Sequence, residues 1–275
     1  LSPTEFEECF LSWIQSVCIV TAGQVIAIDG KRMRRSHDKS SNKSAIHMVS
    51  AWASENMVTL GQVKTDEKSN EITAIPELLD LLEIKGCIVT IDAMGCQKKI
   101  VNKIIKDKKA DYVIALKGNQ GTLHDDIKLF FEGALKDNFD GIDFDFHKTV
   151  DGDHGRIETR ECYIVSDIDW LYGKKNWENL NTIGMVISER DTGDKISKEA
   201  RYFICSIPKD AKLFAKSARE HWGIENKVHW VLDIAFREDE SRMRKGDSAA
   251  NFSVIRHIAL NMLRHEKSSK VGIKN

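Results

Sequence analysis

The fold is decided by residues 87–93, CIVTIDA, where an apolar run of strand length ends in a carboxylate and a small residue. Residues 25–30, VIAIDG, repeat this arrangement earlier in the chain. Short continuous apolar runs of this kind are typical of strands that are buried on both faces. A charge at the end of a buried strand is costly unless a partner or a cation compensates it. Asp29 and Asp92 are therefore candidates for a functional site at a sheet edge.

Strand and helix patterns alternate through the first half of the chain. Further strands are expected at 46–53, 58–63 and 112–116, and helical spacing occurs at 72–82, 96–106 and 121–131. Pro76 is compatible with the first of these helices only within its first turn. The alternation predicts an α/β fold with parallel strands.

The pattern changes after residue 135. Short alternating runs separated by Gly and Asp fill residues 144–207 and predict a β-rich insertion. Helical spacing returns over 211–234 and 248–265, and the Lys- and Ser-rich end of the chain predicts a flexible tail.

Composition excludes several classes of protein. The chain has 275 residues, 41% of them hydrophobic and 30% charged, with only 3 Pro, which argues against a disordered or collagen-like protein. No apolar run approaches the roughly 20 residues of a membrane helix, so no membrane partner is expected. The six Cys are scattered without a CxxC pair, which is typical of buried thiols in a reducing cytoplasm.

Two carboxylates at neighbouring strand ends suggest a metal site. If the two strands are adjacent, Asp29 and Asp92 converge, and they would repel each other unless a divalent cation holds both charged. Oxygen ligands with no His or Cys nearby suit Mg²⁺ or Mn²⁺ rather than zinc. In the alternative interpretation, each Asp only caps the element that follows it.

A third carboxylate would complete such a site. Candidates are Glu225, Asp233 and the run at 238–240. Glu225 is the most informative because it lies on an unusually apolar helix, although most helical Glu residues are simply solvated.

A polar stretch at 31–44 follows Asp29 and predicts an exposed loop. The net charge is −1, yet this loop is strongly basic through Lys31, Arg32, Arg34 and Arg35, and through Lys39 and Lys43. Basic clusters are often only solvated surface, but cations beside a carboxylate site also suit a DNA phosphate, with binding that weakens in salt. Residues 117–121, KGNQG, offer backbone amides to a phosphate or form an ordinary strand-to-helix turn.

Other catalytic motifs are absent from the sequence. It contains no GxSxG, no GxxxxGK[ST], no HExxH and no GxGxxG pattern. The corresponding hydrolases, nucleotide-binding proteins and zinc proteases are therefore poor candidates.

Taken together, these segments resemble a DDE-type insertion-sequence transposase of the H-repeat-associated group. The resemblance follows the chain in order, through residues 25–31 (VIAIDGK), 66–97, 111–123 (DYVIALKGNQGTL), 154–160 (HGRIETR), 221–239 (HWGIENKVHWVLDIAFRED) and 251–263 (NFSVIRHIALNML).

The resemblance implies an RNase H-like core, a mixed sheet flanked by helices, with a β-rich insertion before the C-terminal catalytic helix. Residues 1–23 would be the remnant of an N-terminal helical region, 24–135 the first part of the core, and 136–208 the insertion. Residues 209–266 would complete the core and 267–275 form the tail. The chain would then be N-terminally truncated, in agreement with a first residue that is not Met.

The resemblance also implies the chemistry. Asp29, Asp92 and Glu225 would be the catalytic and metal-binding triad of a Mg²⁺- or Mn²⁺-dependent two-metal site that cleaves DNA and transfers strands. Partners would be double-stranded DNA, as transposon ends and target, and a second copy in a homodimer. The location would be the cytoplasm of a prokaryote, at the nucleoid.

The chain departs from the wider group's Y-x-x-R-x-x-x-E pattern with a Lys seven residues on, because Ala218, His221 and Leu232 occupy those positions. Substitute DNA contacts would come from Arg219, His221 or Lys227. The predicted DNA-binding set is Lys31, Arg32, Arg34, Arg35, Lys117, Asn119, Arg156, Arg219, His221 and Lys227.

Two alternatives remain open. The chain could be a non-catalytic DNA-binding remnant of a decayed element, or a stand-alone RNase H-like nuclease that ignores the sequence of DNA ends.

Overall fold

The structure, a computed structural model, describes residues 2–37, 44–65, 71–153, 155–268 and 271–273. The chain forms two units, Leu1–Cys87 with Glu220–Asn275, and Ile88–Arg219. Within the described residues, no helix combines the length and the apolar character that crossing a bilayer requires.

The elements follow one another in this order: α1 Pro3–Val17, β1 Val25–Arg32, β2 His47–Ala53, β3 Val58–Lys64, α2 Glu71–Leu81, β4 Ile88–Ile91, α3 Lys98–Asn102 with a π-helical turn Lys103–Asp107, β5 Asp111–Leu116, α4 Thr122–Lys136, β6 Phe144–Asp153, β7 Arg156–Val165, β8 Thr182–Asp191, β9 Ile196–Cys205, α5 Ala211–Gly223, a π-helical turn Ile224–His229, α6 Trp230–Ile234 and α7 Ser248–His265.

The first unit is an antiparallel meander, β3-β2-β1, with helices packed on it. The first four residues of β1 are completely buried, as its continuous apolar run predicts. Helices α1, α2 and α7 pack against β3. Helix α1 begins where Ser2 Oγ accepts a hydrogen bond from the Glu5 N–H and Pro3 occupies the first turn.

The second unit has the strand order β4-β5-β9-β8-β7-β6. The β4–β5 pair is parallel, and the pairs from β5 through β9, β8 and β7 to β6 are antiparallel. Strand β9 pairs with β5 on one side and with β8 on the other, so the β-rich segment continues the sheet begun by β4 and β5.

The α/β class and the mixed sheet are confirmed, with two local corrections. The prediction of parallel strands is wrong for β1, β2 and β3, which pair antiparallel. The connection between β2 and β3 is too short for the crossover that a parallel pair needs. Pro76 lies inside α2, beyond its first turn. The buried residues Ala74, Ile75, Leu78 and Leu79 compensate for the proline, which in a helix interior costs about 3 kcal/mol.

Candidate active site

Asp29 lies where the buried half of β1 ends, paired in register with Ser50 of β2. Its side chain is 23% exposed. Gly30 follows it, and a Cβ at this position would lie 2.6 Å from Nε2 of His47, which is paired with Glu71. A larger residue after the carboxylate would therefore have to displace the ends of the His47 and Glu71 side chains.

The helical segment formed by the π-helical turn and α6 carries two neighbouring rows of side chains that matter for the site. Ile224, Val228 and Leu232 are buried in a cluster with Ala27 and Trp52. A second row, one position further along the chain, consists of Glu225, His229 and Asp233. Because the first row faces the core, the second row lies beside it, where it meets β1.

Glu225 and Asp29 converge at this contact. Nδ1 of His229 lies 3.0 Å from Oε2 of Glu225 and 3.5 Å from Oδ2 of Asp29. One ligand atom from each of the three residues lies within 4.8 Å of the other two. The structure therefore brings together two of the three predicted acids, which are far apart in the sequence.

His229 is a residue that sequence reasoning missed, and the prediction of a site with no His or Cys nearby is wrong. Its side chain is only 4% exposed. The spacing of Glu225 and His229, four residues apart on one helix, was the available signal.

Electrostatics keep Glu225 charged. The hydrogen bond from His229 lowers the pKa of Glu225 below its ordinary value, and the charge of Lys31 acts in the same direction, while partial burial opposes them. A carboxylate held in its charged form is ready to bind a cation.

Asp92 belongs to the second unit, directly after β4. Its Oδ1 accepts hydrogen bonds from the backbone N–H groups of Met94, at 2.9 Å, and Gly95, at 3.3 Å. The side chain therefore caps the turn that follows the strand, as the alternative interpretation expects. Oδ2 is not used by these two bonds, so the capping role does not exclude metal binding.

Lys31 lies two residues after Asp29, and the prediction of an exposed loop is wrong here. The Lys31 side chain is 11% exposed, and its Nζ lies 2.5 Å from Asp233, 3.1 Å from Glu238 and 3.6 Å from Asp239. Burial alone would lower the pKa of Lys31, but the three carboxylates outweigh it and raise the pKa above its ordinary value. Asp233 and Glu238, considered above as third metal ligands, are thus engaged by a lysine.

The rest of the basic stretch is mixed in character. Arg32, Arg34 and Arg35 are all exposed, and Nε of Arg34 also lies 3.1 Å from Oδ2 of Asp239. The segment after β1 is also partly buried, at Met33 and Ser36. Lys39 and Lys43 lie outside the described residues.

The remaining predicted DNA contacts fall into both units. In the second unit, Lys117 is exposed, Nδ2 of Asn119 donates to the Ala93 carbonyl at 2.8 Å, and Arg156 pairs with Glu158 at 3.0 Å. Arg219 lies on α5 and is exposed at the surface. Partial loss of contact with water lowers its pKa, and the nearby charge of Arg160 lowers it further.

His221 and Lys227 flank Glu225 in the sequence. His221 is partly buried and its ring centroid is 6.4 Å from that of Trp222. Lys227 is exposed, and its Nζ lies 3.5 Å from Sδ of Met57.

The residues at the site fit a divalent cation. Two carboxylates provide hard oxygen ligands of the kind that Mg²⁺ and Mn²⁺ prefer, and Mn²⁺ also tolerates an imidazole nitrogen. Asp29, Glu225 and His229 are the residues of the first unit that would surround it.

Comparison with known proteins gives a consistent result. The profile of the family described as "Transposase DDE domain" matches residues 21–262. "Putative transposase YncI" of Escherichia coli O157:H7 is 48% identical over 98% of this chain and 69% of its own length. "H repeat-associated putative transposase YhhI" of Escherichia coli strain K12 is 43% identical over 100% of this chain and 73% of its own length.

Among solved structures, the chain has a distant match to a transposase complex. That structure is titled "Cryo-EM structure of piggyBac transposase synaptic complex with hairpin DNA", with a TM-score of 0.49 and 11% identity. The match covers 100% of this chain and 56% of that chain.

Proposed function

The chain belongs to the transposase DDE domain family, and we propose that it cleaves DNA at the ends of an insertion sequence and transfers the cut strand, with a divalent metal held by Asp29, Asp92 and Glu225. The observation that supports this proposal most strongly is the convergence of Asp29 and Glu225 around Nδ1 of His229. An RNase H-like core, with 136–208 as its insertion, is part of the proposal.

Each acid has a role in this proposal. Bound Mg²⁺ or Mn²⁺ would activate the attacking oxygen and stabilise the leaving oxygen of the phosphodiester. Asp29 is fixed by β1, and Glu225 is fixed by its hydrogen bond to His229. Asp92, at the end of β4, would provide the third carboxylate.

The partner in this proposal is double-stranded DNA, bound as transposon ends and target by a homodimer in the prokaryotic nucleoid. The exposed guanidinium groups of Arg32 and Arg35 follow Asp29 in the chain and would contact phosphates. Lys31 is assigned an internal role, because its charge is neutralised by Asp233 and Glu238.

Cleavage of DNA that carries the element's ends, in Mg²⁺ or Mn²⁺, tests the proposal. Asp29→Asn, Asp92→Asn and Glu225→Gln should each reduce the cleavage rate at least 100-fold, because each removes a charged metal ligand. Asp194→Asn, in the exposed turn between β8 and β9, is the control and should retain the activity of the unmodified protein. Full activity in all three acid variants would refute the assignment.

The same assay separates the alternatives. A decayed remnant would bind the DNA ends without cutting them in either metal, whereas a stand-alone nuclease would cut DNA irrespective of its end sequence. A transposase cuts at the ends and joins the freed 3′-hydroxyl to target DNA.

A further inference from the structure

Nδ1 of His229 lies between the carboxylates of Glu225 and Asp29. It lies 3.0 Å from Oε2 of Glu225 and 3.5 Å from Oδ2 of Asp29. We propose that His229 is a positioning residue, which holds the Glu225 carboxylate toward Asp29 so that the pair binds a divalent cation with high affinity. The inference rests on the proposed function in that it takes Asp29 and Glu225 as metal ligands.

Glu225 needs such a partner because of where it lies. Its side chain is 55% exposed and, as a glutamate, has several rotatable bonds. A solvent-exposed carboxylate of this length samples many rotamers, and binding a cation would require it to give them up. A hydrogen bond to a fixed donor removes that freedom before the cation arrives.

His229 is a fixed donor because its ring is enclosed. The residue is 3% exposed, next to Val228, which is completely buried. Its position four residues after Glu225 places it one turn further along the same helical segment. The donor, His229, and the acceptor, Glu225, therefore both belong to the π-helical turn Ile224–His229.

The other ring nitrogen determines which atom carries the hydrogen. Nε2 of His229 is buried and finds no hydrogen-bond partner among the described residues. A hydrogen on Nε2 would be a buried donor without an acceptor, which is costly. The favoured tautomer of the neutral ring therefore carries its hydrogen on Nδ1, the nitrogen that faces both carboxylates.

This arrangement distinguishes positioning from direct ligation. If Nδ1 bound the cation itself, the ring hydrogen would have to sit on Nε2, in surroundings that offer it no acceptor. A hydrogen-bond donor at Nδ1 instead leaves Nε2 without a hydrogen. Partners that orient metal ligands typically change metal affinity 10- to 100-fold when they are removed.

The experiment measures Mn²⁺ binding to the full chain by isothermal titration calorimetry, without DNA. His229→Leu removes the donor, whereas His229→Asn retains an N–H near the position of Nδ1. We expect a Kd about 10-fold or more higher in His229→Leu and within about 3-fold of the unmodified protein in His229→Asn. Asp29→Asn provides the reference for loss of the site.

His257→Leu is the matched control for loss of a buried histidine. His257 is 2% exposed, and its Nδ1 hydrogen-bonds to the Ser253 carbonyl at 2.9 Å instead of to an acid. Its replacement should leave the Kd for Mn²⁺ unchanged.

Thermal unfolding without metal, measured for Glu225→Gln, His229→Asn and the double variant, gives a second readout even where His229→Leu fails to fold. In this cycle, His229→Asn should leave the unfolding temperature nearly unchanged as long as Glu225 is present.

The outcomes are distinct. An unchanged Kd in His229→Leu would overturn the inference, as would an equal loss in His229→Asn and His229→Leu, because the latter would indicate that the ring nitrogen is itself a ligand. Absence of Mn²⁺ binding that depends on Asp29 would also overturn it. Mn²⁺ binding that depends on Asp29 and His229, in a protein that does not cut DNA, would refute the proposed function and leave this inference standing.

Discussion

Nζ of Lys31 lies 2.5 Å from Oδ1 of Asp233, so a cation two residues after Asp29 is neutralised within the protein. Glu238, whose side chain is 1% exposed, lies 3.1 Å from the same nitrogen and 3.4 Å from Arg256. These contacts connect the end of β1 to α6, through Asp233, and to the segment that follows α6, through Glu238. This connection holds the strand that carries Asp29 against the helical segment that carries Glu225.

Replacing Lys31 with Met should destabilise the protein strongly. Removal of Lys31 leaves the buried Glu238 with Arg256 as its remaining ion-pair partner among the described residues, and takes the lysine from Asp233, whose side chain is 31% exposed. Breaking a fully buried pair typically costs about 3 to 5 kcal/mol, and the expected loss here lies at the lower end of that range. Urea denaturation measures the free energy of unfolding. Arg32→Met, on the same strand but exposed, should change that free energy by less than about 1 kcal/mol. Equal effects of the two substitutions would show that the Lys31 pairs contribute nothing.

The exposed arginines should determine how DNA binding responds to salt. Each phosphate contact adds about 0.9 to the slope of log affinity against log salt concentration. Arg32→Ala and Arg35→Ala should therefore each lower this slope by about one, measured by fluorescence anisotropy on labelled duplex DNA. Lys128→Ala, on α4 and paired with Glu132, serves as the control. A salt response that neither variant alters would exclude Arg32 and Arg35 from phosphate binding.

Glu7 should make stability depend on pH. Its Oε1 accepts a hydrogen bond from the Gln62 N–H at 3.1 Å, but burial outweighs this and raises the pKa of Glu7 from its ordinary value of 4.5 to about 7. Between these two values the folded protein holds a proton that the unfolded chain has released. The proton on Glu7 therefore stabilises the folded protein fully below pH 4.5, and this stabilisation is lost as the pH rises to about 7.

Glu7→Gln should remove this decline. The loss across the pH window is about 1 to 3 kcal/mol in the unmodified protein, seen as a falling midpoint of urea denaturation between pH 4.5 and 7. The variant should have a midpoint that varies less over the same range. Glu8→Gln, at an exposed neighbouring position, should retain the decline. A decline that survives in Glu7→Gln would assign it to another group.

Much of the fold could be predicted because periodicity is a local property. Helix α7 begins and ends at the predicted residues, Ser248 and His265, and β1 begins at the predicted Val25. Apolar spacing specifies such elements without reference to the rest of the chain. The residues alone predicted only that Asp29 and Asp92 converge, with Glu225 among several candidates for a third acid, and the choice of Glu225 came from the family resemblance.

The environments of Lys31 and His229 could not be predicted in this way. The partners of Lys31 lie some two hundred residues further along the chain, and a basic cluster in a sequence carries no sign of the carboxylates that fold against it. His229 lies in a π-helical turn, whose residues per turn differ from those of the α-helix assumed in sequence patterns. Which nitrogen faces which acid depends on that geometry.

The second unit offers a test of packing that is independent of the active site. Gly184 of β8 faces Phe214, which is completely buried, and a Cβ at this position would lie 2.8 Å from ring atom Cε1. Because the ring is completely buried, it can make room only by displacing its neighbours, so Gly184→Ala should destabilise the protein by about 1 to 3 kcal/mol. Gly133, inside α4, is the opposite case, because a Cβ there would meet nothing within 4 Å.

Gly133→Ala should accordingly stabilise the protein by about 0.5 to 1 kcal/mol, since alanine loses less backbone entropy than glycine when a helix forms. Both variants add one methyl group, so their difference isolates the effect of the surroundings. Urea denaturation followed by circular dichroism measures both. If Gly184→Ala were as stable as Gly133→Ala, then Phe214 could move, and the contact between β8 and α5 would be looser than the structure describes.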